Sequence, residues 1–151
     1  MTSTWRLAAA TLLLTALAGL GILAAGSSSA SGPDTDDGLL GPGRATIELG
    51  IEHSAFSTNR IIVQVGTTLT FVVENGDPIG HELIVGPPEV HARHEGGAEA
   101  SHPPVPGEVT VPALAEASTT YDFDEPGSYE FACHLPGHVA YGMVGEVVVV
   151  E

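Results

Sequence analysis

The sequence predicts an all-β domain, a sandwich of seven to eight short strands. Three observations support this prediction. Apolar and polar residues alternate in several segments, β-branched residues are frequent there, and glycine or proline separates one segment from the next. After the apolar N-terminal run, no segment shows a sustained helical period, apart from a short turn around residues 89–95. Roughly 108 residues from Arg44 onward suffice for one such domain.

The predicted strands follow in chain order. In "ATIELGI", the residues Ile47, Leu49 and Ile51 share one face. The segments "IIVQV" and "TLTFVVEN" are separated by Gly66, which predicts a hairpin. "NGDPIG" is then a turn. The remaining predicted strands are "HELIV", "EVTV", "TTYDF", "GSYEFAC" and "MVGEVVVV".

The N-terminal segment has the pattern of an export signal. Residues 7–25 are apolar, Arg6 is the only charge before Asp34, and small residues end at Ala30. The apolar run is also nearly long enough to cross a bilayer, so residues 1–30 are either a cleaved signal peptide or an uncleaved membrane anchor. Residues 31–43 are rich in small and acidic residues and predict a flexible linker. The folded domain is expected over residues 44–151, outside the cytoplasm.

The charge of the chain restricts its partners. A formal charge of −15 with no lysine argues against nucleic acid and against anionic membrane surfaces. It favours partners with basic docking surfaces, and we expect a monomer. Cys133 is the only cysteine, so an intrachain disulfide is excluded. An exported thiol needs protection, which burial or a metal would supply.

Four residues form a candidate metal site. Cys133 ends one predicted strand, Met143 begins the next, and His138 lies between them. His81 begins the strand "HELIV". Two imidazoles, one thiolate and a weak axial thioether are the ligands of a type 1, or blue, copper site. The sulfur ligands favour Cu(I), and the imidazoles suit both oxidation states.

Each of these residues also has an ordinary structural interpretation. A lone cysteine is often a buried core residue, and a methionine often fills the core. A single histidine in a loop is usually a surface residue that binds no metal. The combination of types and spacings favours copper over these interpretations. Zinc is the chemical competitor, because it binds cysteine and histidine well, but a methionine ligand adds nothing for zinc.

The segment "CHLPGHVAYGM" resembles the copper loop of cupredoxins, the plastocyanin and azurin family, and "NGDPIGHELIVG" resembles the segment that carries their upstream histidine. The resemblance covers residues 45–151. It implies a Greek-key β-sandwich with one copper ion held by His81, Cys133, His138 and Met143. It also places Gly80 where azurins offer an axial carbonyl oxygen.

Two neighbours of the predicted ligands depart from the family pattern. His134 and Glu82 stand where many members have a small hydroxylic residue and an amide such as asparagine. Such neighbours tune the redox potential. The spacing around Cys133 also resembles the type 1 site of multicopper oxidases, in which histidines on both sides of the cysteine reach a second copper cluster. Here Ala132 precedes Cys133, so one of that pair is missing. Strand alternation directs His134 away from the copper face.

A second histidine group lies in the long loop between Gly86 and Gly107. His91, His94 and His102 suggest an accessory metal site, with Glu95 or Glu99 as helpers. The competing interpretation, which we favour on sequence grounds, is a solvated polar loop without fixed structure.

We expect an exported electron carrier that cycles between Cu(I) and Cu(II), not an enzyme. The alternative is a copper-binding module for delivery or sequestration. A third hypothesis, one domain of an oxidase or nitrite reductase, lacks the ligands for a second copper. His138 is the expected electron gateway. Its predicted apolar rim consists of Leu135, Pro136, Val139 and Ala140.

Overall fold

A computed structural model describes residues 38–95 and 105–151 of the chain. The predicted signal or anchor, most of the predicted linker and His102 lie outside these ranges. Within them, no helix is long and apolar enough to cross a membrane.

The described residues are mostly strand, as the sequence predicts. Eight strands of four to ten residues match the predicted segments, and two strands of two residues are added. The strands are β1 Leu39–Leu40, β2 Gly43–Glu52, β3 Ala55–Phe56, β4 Arg60–Gln64, β5 Thr67–Asn75, β6 His81–Gly86, β7 Glu108–Val111, β8 Glu116–Phe123, β9 Gly127–Ala132 and β10 Val144–Val150. One α-helix, α1 Pro88–Glu95, follows β6, and a 3₁₀ turn spans Val139–Tyr141.

The strands form two sheets around one apolar core. One sheet has the order β1-β4-β10-β9-β6-β7, and the other has the order β3-β2-β5-β8. Leu49 and Phe71 from the smaller sheet and Val63, Phe131 and Val147 from the larger one are essentially inaccessible to solvent and belong to the same cluster. Alternation therefore places one face of each sheet in the core, as in other β-sandwiches.

The predicted hairpin at Gly66 is wrong. Strand β4 pairs with β10 and β1 in the larger sheet, whereas β5 pairs with β2 and β8 in the smaller one. Gly66 adopts a φ of 83°, which glycine reaches without strain, and the chain there passes from one sheet to the other. Both strands bury alternate residues, so their sequence pattern is the same whether they pair or face each other across the core.

Part of the predicted linker is structured. Leu39 and Leu40 form β1, which runs parallel to β4, and β2 begins at Gly43. The Thr67 hydroxyl donates a hydrogen bond of 2.8 Å to the carbonyl oxygen of Gly41. Two partly buried leucines thus extend the sheet, in a segment whose glycines, proline and acidic residues predict a tether.

Three adjacent strands of the larger sheet position the metal-site residues. Strand β9 lies between β10 and β6 and is antiparallel to both. Ala132 at the end of β9 is opposite Val144 at the start of β10 and Ile84 in β6. The end of β9, the start of β10 and the start of β6 therefore meet at one end of the sandwich.

Candidate metal centre

The loop over residues 133–143 connects β9 to β10 and is closed at its base. The Cys133 N–H donates a hydrogen bond of 3.1 Å to the Met143 carbonyl, and the Met143 N–H donates one of 3.0 Å to the carbonyl of His138. Gly142, with a φ of 94°, ends the 3₁₀ turn in the left-handed conformation. These contacts hold the backbone of three predicted ligands in one short turn.

The fourth predicted ligand, His81, is supplied by β6 and is fully buried. Its Nε2 lies 3.0 Å from Oδ2 of Asp77. An ionised carboxylate only accepts, so Nε2 carries the proton and Nδ1 keeps its lone pair. Nδ1 is buried and has no hydrogen-bond partner among the described residues. A buried, unpartnered acceptor is costly unless a ligand completes it.

Asp77 is itself held by the backbone. Its carboxylate accepts hydrogen bonds of 2.7 Å from the N–H groups of His53 and Ser54. The hydrogen bond from Ser54 lowers the pKa of Asp77, burial opposes this, and His53 and His81 add to the lowering. The carboxylate is therefore ionised and fixed when it accepts from His81, and this arrangement orients the imidazole towards the other ligands.

The ligand atoms of His81, Cys133 and His138 all lie within 4.8 Å of one another. Sγ of Cys133 is 3.3 Å from Nδ1 of His138. Sulfur and nitrogen bound to one ion at metal distances of about 2.3 and 2.0–2.1 Å, with angles of roughly 100–120°, are about 3.3–3.8 Å apart. The observed separation thus fits two ligands of one ion.

The Cys133 thiol lies in an apolar environment with a few polar contacts. Burial raises its pKa, and backbone hydrogen bonds from Glu82 and Leu135 oppose that effect. The same backbone groups would stabilise a thiolate once a cation replaces the proton. The donor set of one thiolate and two imidazoles fits copper.

His138 and Met143 have different exposures. Met143 is fully buried and belongs to the core cluster, whereas His138 is only partly buried. His81 and His138 face each other with ring centroids 5.0 Å apart. The four residues are thus arranged as a type 1 site with one imidazole near the surface. Gly80 directly precedes β6 and is exposed; the approach of its carbonyl oxygen to the metal stays a prediction.

Two residues that support the site were not identified as such from the sequence. Asp77 precedes His81 by four residues and lies in a turn, where an acidic residue does not by itself indicate a role at a metal site. Glu82 was noted only as an unusual neighbour, yet its Oε1 accepts a hydrogen bond of 2.8 Å from the His134 N–H and so ties β6 to the loop. The sequence did offer a signal for Asp77, because it is an acidic residue four positions before a predicted ligand histidine, and such histidines often donate to a carboxylate.

The predicted solvated loop is wrong for His91 and His94. Both lie in α1, which packs against β6 and β9. His91 is 5% exposed, and its Nδ1 is 2.9 Å from Nε2 of His134. The rings of His94 and His134 stack at 5.8 Å. The helix forms because β9 offers a surface that covers one side of a segment whose sequence pattern is only weakly amphipathic. His134 thus points away from Cys133, as alternation predicts.

Comparisons with known proteins agree with this geometry. The family model described as "Copper binding proteins, plastocyanin/azurin family" matches residues 44–150. The copper-resistant cuproprotein CopI of Rubrivivax gelatinosus is 39% identical over 97 residues, which are 62% of this chain and 59% of that protein. The protein of the same name from Pseudomonas aeruginosa is 28% identical over an alignment of 175 positions, which covers 91% of this chain and 96% of that protein.

Solved structures share the fold. The reduced auracyanin of Roseiflexus castenholzii superposes with a TM-score of 0.60 at 23% identity, over 72% of this chain and all of that chain. The multicopper oxidase mgLAC superposes with a TM-score of 0.54 at 19% identity, over 72% of this chain and 39% of that chain. With the match over residues 44–150, the chain belongs to the plastocyanin/azurin family of copper-binding proteins.

Proposed function

We propose that the protein is an exported carrier of single electrons, with one copper ion held by His81, Cys133, His138 and Met143. The observation that carries the proposal is the convergence of three ligand atoms within 4.8 Å around a histidine whose Nδ1 is buried and unpartnered among the described residues. Bound copper supplies a one-electron couple.

The chain contributes rigidity and a route to the surface. Asp77 fixes the His81 ring, and the backbone bonds between Cys133, His138 and Met143 fix the loop. Ligands that hardly move between oxidation states keep the reorganisation small. His138 is the only one of the four with a partly exposed side, so we assign it as the gateway. Its rim of Leu135, Pro136, Val139 and Ala140 extends to Tyr141, which is 81% exposed.

The ligand assignment is tested by adding one equivalent of Cu(II) to the purified protein. We expect an intense thiolate-to-copper absorption band at about 600 nm. Cys133→Ser should abolish the band because it removes the thiolate. Asp124→Asn is the control, because Asp124 is exposed and belongs to neither the ligand loop nor β6. A Cys133→Ser protein that keeps the colour would exclude the assignment.

A second candidate function is copper delivery or sequestration. It is favoured by the name of the two relatives, copper-resistant cuproprotein. The two functions differ in how the protein treats its copper. A carrier of electrons retains the ion through repeated oxidation and reduction, whereas a delivery protein releases Cu(I) to an acceptor. Repeated cycling in the presence of a Cu(I) chelator, followed by metal analysis of the protein, separates them. Retention of the copper supports the electron carrier.

The partner proposed for electron transfer is a protein with a basic docking surface. The chain carries a charge of −15, and the apolar rim around His138 would form a brief contact. Opposite charges accelerate association, and salt screens them. We expect the rate of electron exchange with a basic cytochrome c, used as a probe, to fall as ionic strength rises. A rate independent of salt would exclude charge steering.

The proposed location is outside the cytoplasm, with residues 1–30 as signal or anchor. Expression of the full chain, followed by fractionation and N-terminal sequencing, distinguishes the two. A mature N-terminus after Ala30 indicates cleavage. An intact N-terminus in the membrane fraction indicates an anchor, and an intact chain in the cytosol excludes export.

A further inference from the structure

We propose that His91, His134 and Glu130 form a second metal site, which binds divalent first-row ions and prefers Cu²⁺ to Zn²⁺. The site lies beside the end of β9, on the side away from the Cys133 sulfur. It is separate from the four-residue copper site and does not depend on the function proposed above.

The protonation of His91 prepares it as a ligand. Its Nε2 is 3.2 Å from the carbonyl oxygen of Gly86 and 3.1 Å from that of Glu130. Carbonyl oxygens only accept, so Nε2 carries a proton, and Nδ1 of the neutral ring has a free lone pair. Two backbone acceptors thus fix both the tautomer and the ring orientation, as they do in metal-binding histidines.

The distance between the two imidazoles suits a shared ion. Nδ1 of His91 and Nε2 of His134 are 2.9 Å apart, and their ring centroids are 5.2 Å apart. In the metal-free protein this is a hydrogen bond from the Nε2–H of His134 to Nδ1 of His91. Two nitrogens bound to one ion at about 2.0–2.1 Å, with an angle of roughly 90–109°, lie about 2.9–3.3 Å apart. An ion can therefore take the place of the shared proton, and the neutral His134 ring then carries its proton on Nδ1 instead of Nε2.

Glu130 supplies an oxygen and an opening to solvent. Its Oε1 lies 3.6 Å from Nδ1 of His91, and its side chain is 44% exposed. Rotation of this exposed carboxylate would bring an oxygen to the ion, and water can complete the coordination. Because the His91 side chain is only 6% exposed, the ion must enter from the side of Glu130 and His134.

The surroundings favour a cation and keep the second imidazole in place. The His134 N–H is held by the Glu82 carboxylate, and the ring of His94 stacks on that of His134 at an interplanar angle of 20°. Nε2 of His94 lies 3.4 Å from the Glu108 carboxylate, and this contact helps to hold the His94 ring against that of His134.

Two imidazoles and a carboxylate are nitrogen and oxygen donors without sulfur. Such sites bind first-row divalent ions in the order that places Cu²⁺ highest and Zn²⁺ below it. Tetragonal Cu²⁺ also tolerates a three-residue site completed by water. These donors therefore differ from those of the copper site that contains Cys133, where a thiolate is a ligand. The two sites are expected to give different spectra.

The test is a titration of the full-length protein with Cu²⁺, followed by absorbance and electron paramagnetic resonance. We expect the second equivalent to add nothing to the band at about 600 nm and to give a separate tetragonal signal with splitting from two nitrogens. His91→Gln and His134→Gln should each weaken this second binding at least about tenfold, since even indirect support of a ligand is worth that much. Asp124→Asn, at an exposed position, should leave it unchanged.

Several outcomes would overturn the proposal. These are the absence of a second bound ion, or a second ion that binds His91→Gln as tightly as the unaltered protein. The band from the first equivalent reports that each variant has folded. If that band never forms while a two-nitrogen signal does, the electron-carrier proposal fails and this one stands.

A measurement on the unaltered protein removes the dependence on variants. Zn²⁺ is added while nitrogen-15 NMR follows the imidazole nitrogens. We expect His134 to lose its Nε2 proton while His91 keeps its own, because the Gly86 and Glu130 carbonyls still accept from it. Unchanged resonances of both rings at saturating Zn²⁺ would contradict the site.

Discussion

Oδ2 of Asp77 lies 3.0 Å from Nε2 of His81, so a buried carboxylate determines which nitrogen of the imidazole faces the metal site. Asp77 in turn accepts from two backbone N–H groups of the turn after β2. A turn that follows a strand of the smaller sheet thus orients, through Asp77, a metal ligand that belongs to the larger sheet.

Replacement of this carboxylate by a neutral amide should weaken Cu(II) more than Cu(I). The carboxylate raises the donor strength of the imidazole, and the more highly charged ion gains more from it. We expect Asp77→Asn to raise the reduction potential and to lower Cu(II) affinity about 10–100-fold. Redox titration and chelator competition measure these two quantities. Asp124→Asn, at an exposed position, is the control. Equal potentials for Asp77→Asn and the unaltered protein would remove Asp77 from the metal's surroundings.

Met143 should set the potential without being needed for copper binding. It is fully buried, and a weak axial thioether tunes blue copper sites. We expect Met143→Gln to keep copper and its colour and to lower the potential, because an amide oxygen is a harder ligand that favours Cu(II). Met143→Leu conserves volume and removes the donor, so its potential should lie above that of Met143→Gln. Voltammetry of the two variants measures the difference, and identical potentials would exclude an axial role.

Gly145 should be essential for packing. A Cβ atom at this position would overlap the ring of Phe131, which lies opposite it on β9. Overpacking of this kind destabilises a core by about 1–3 kcal/mol. Urea unfolding of Gly145→Ala measures the loss. Gly50→Ala is the control, since its Cβ would make only ordinary contacts with Ser57, and we expect a change within about 0.5 kcal/mol. A Gly145→Ala protein of unaltered stability would show that the Phe131 ring can move aside.

The domain should lose stability in alkali through its tyrosines. Burial is the largest effect that raises the pKa of Tyr121 and of Tyr129, and nearby negative charge adds to it. The folded state therefore keeps phenol protons that the unfolded chain releases at about pH 10. This stabilisation is complete below that pH and is lost as pH rises through the folded-state pKa.

The chain has no lysine, so few other groups titrate in this window. We expect the combined Tyr121→Phe and Tyr129→Phe variant to lose stability less steeply than the unaltered protein between about pH 10 and 11. Urea midpoints across this range measure the slope, and the same variant at pH 7 controls for altered packing. Equal slopes would assign the alkaline transition to other groups.

The sequence predicts the copper site well because its information is local. Cys133, His138 and Met143 belong to one loop, and the two strands that flank it alternate clearly. His81 is distant in the chain, but it begins a strand that follows a clear turn. Residue type, spacing and strand pattern together place all four at one end of the sandwich, where the structure brings the atoms of His81, Cys133 and His138 together.

The errors concern relationships between distant segments. The alternation of "IIVQV" and "TLTFVVEN" indicates that each strand has a buried face, but not whether they share a sheet. His91 looks like a loop residue because helix α1 depends on its packing against β6 and β9. The role of Asp77 depends on the approach of His53 and Ser54, more than twenty positions earlier in the chain. Tertiary contacts decide each of these cases.

The position of β10 between β4 and β9 has a consequence for how the protein is made. Until residues 144–150 have been synthesised, the neighbouring strands lack the one that joins them, and the base of the 133–143 loop cannot close. A nascent chain that ends just before this strand would already carry all four sulfur and imidazole groups, but on an unfinished scaffold. Selection of the correct ion is therefore a task for the completed polypeptide, in whichever compartment its folding ends.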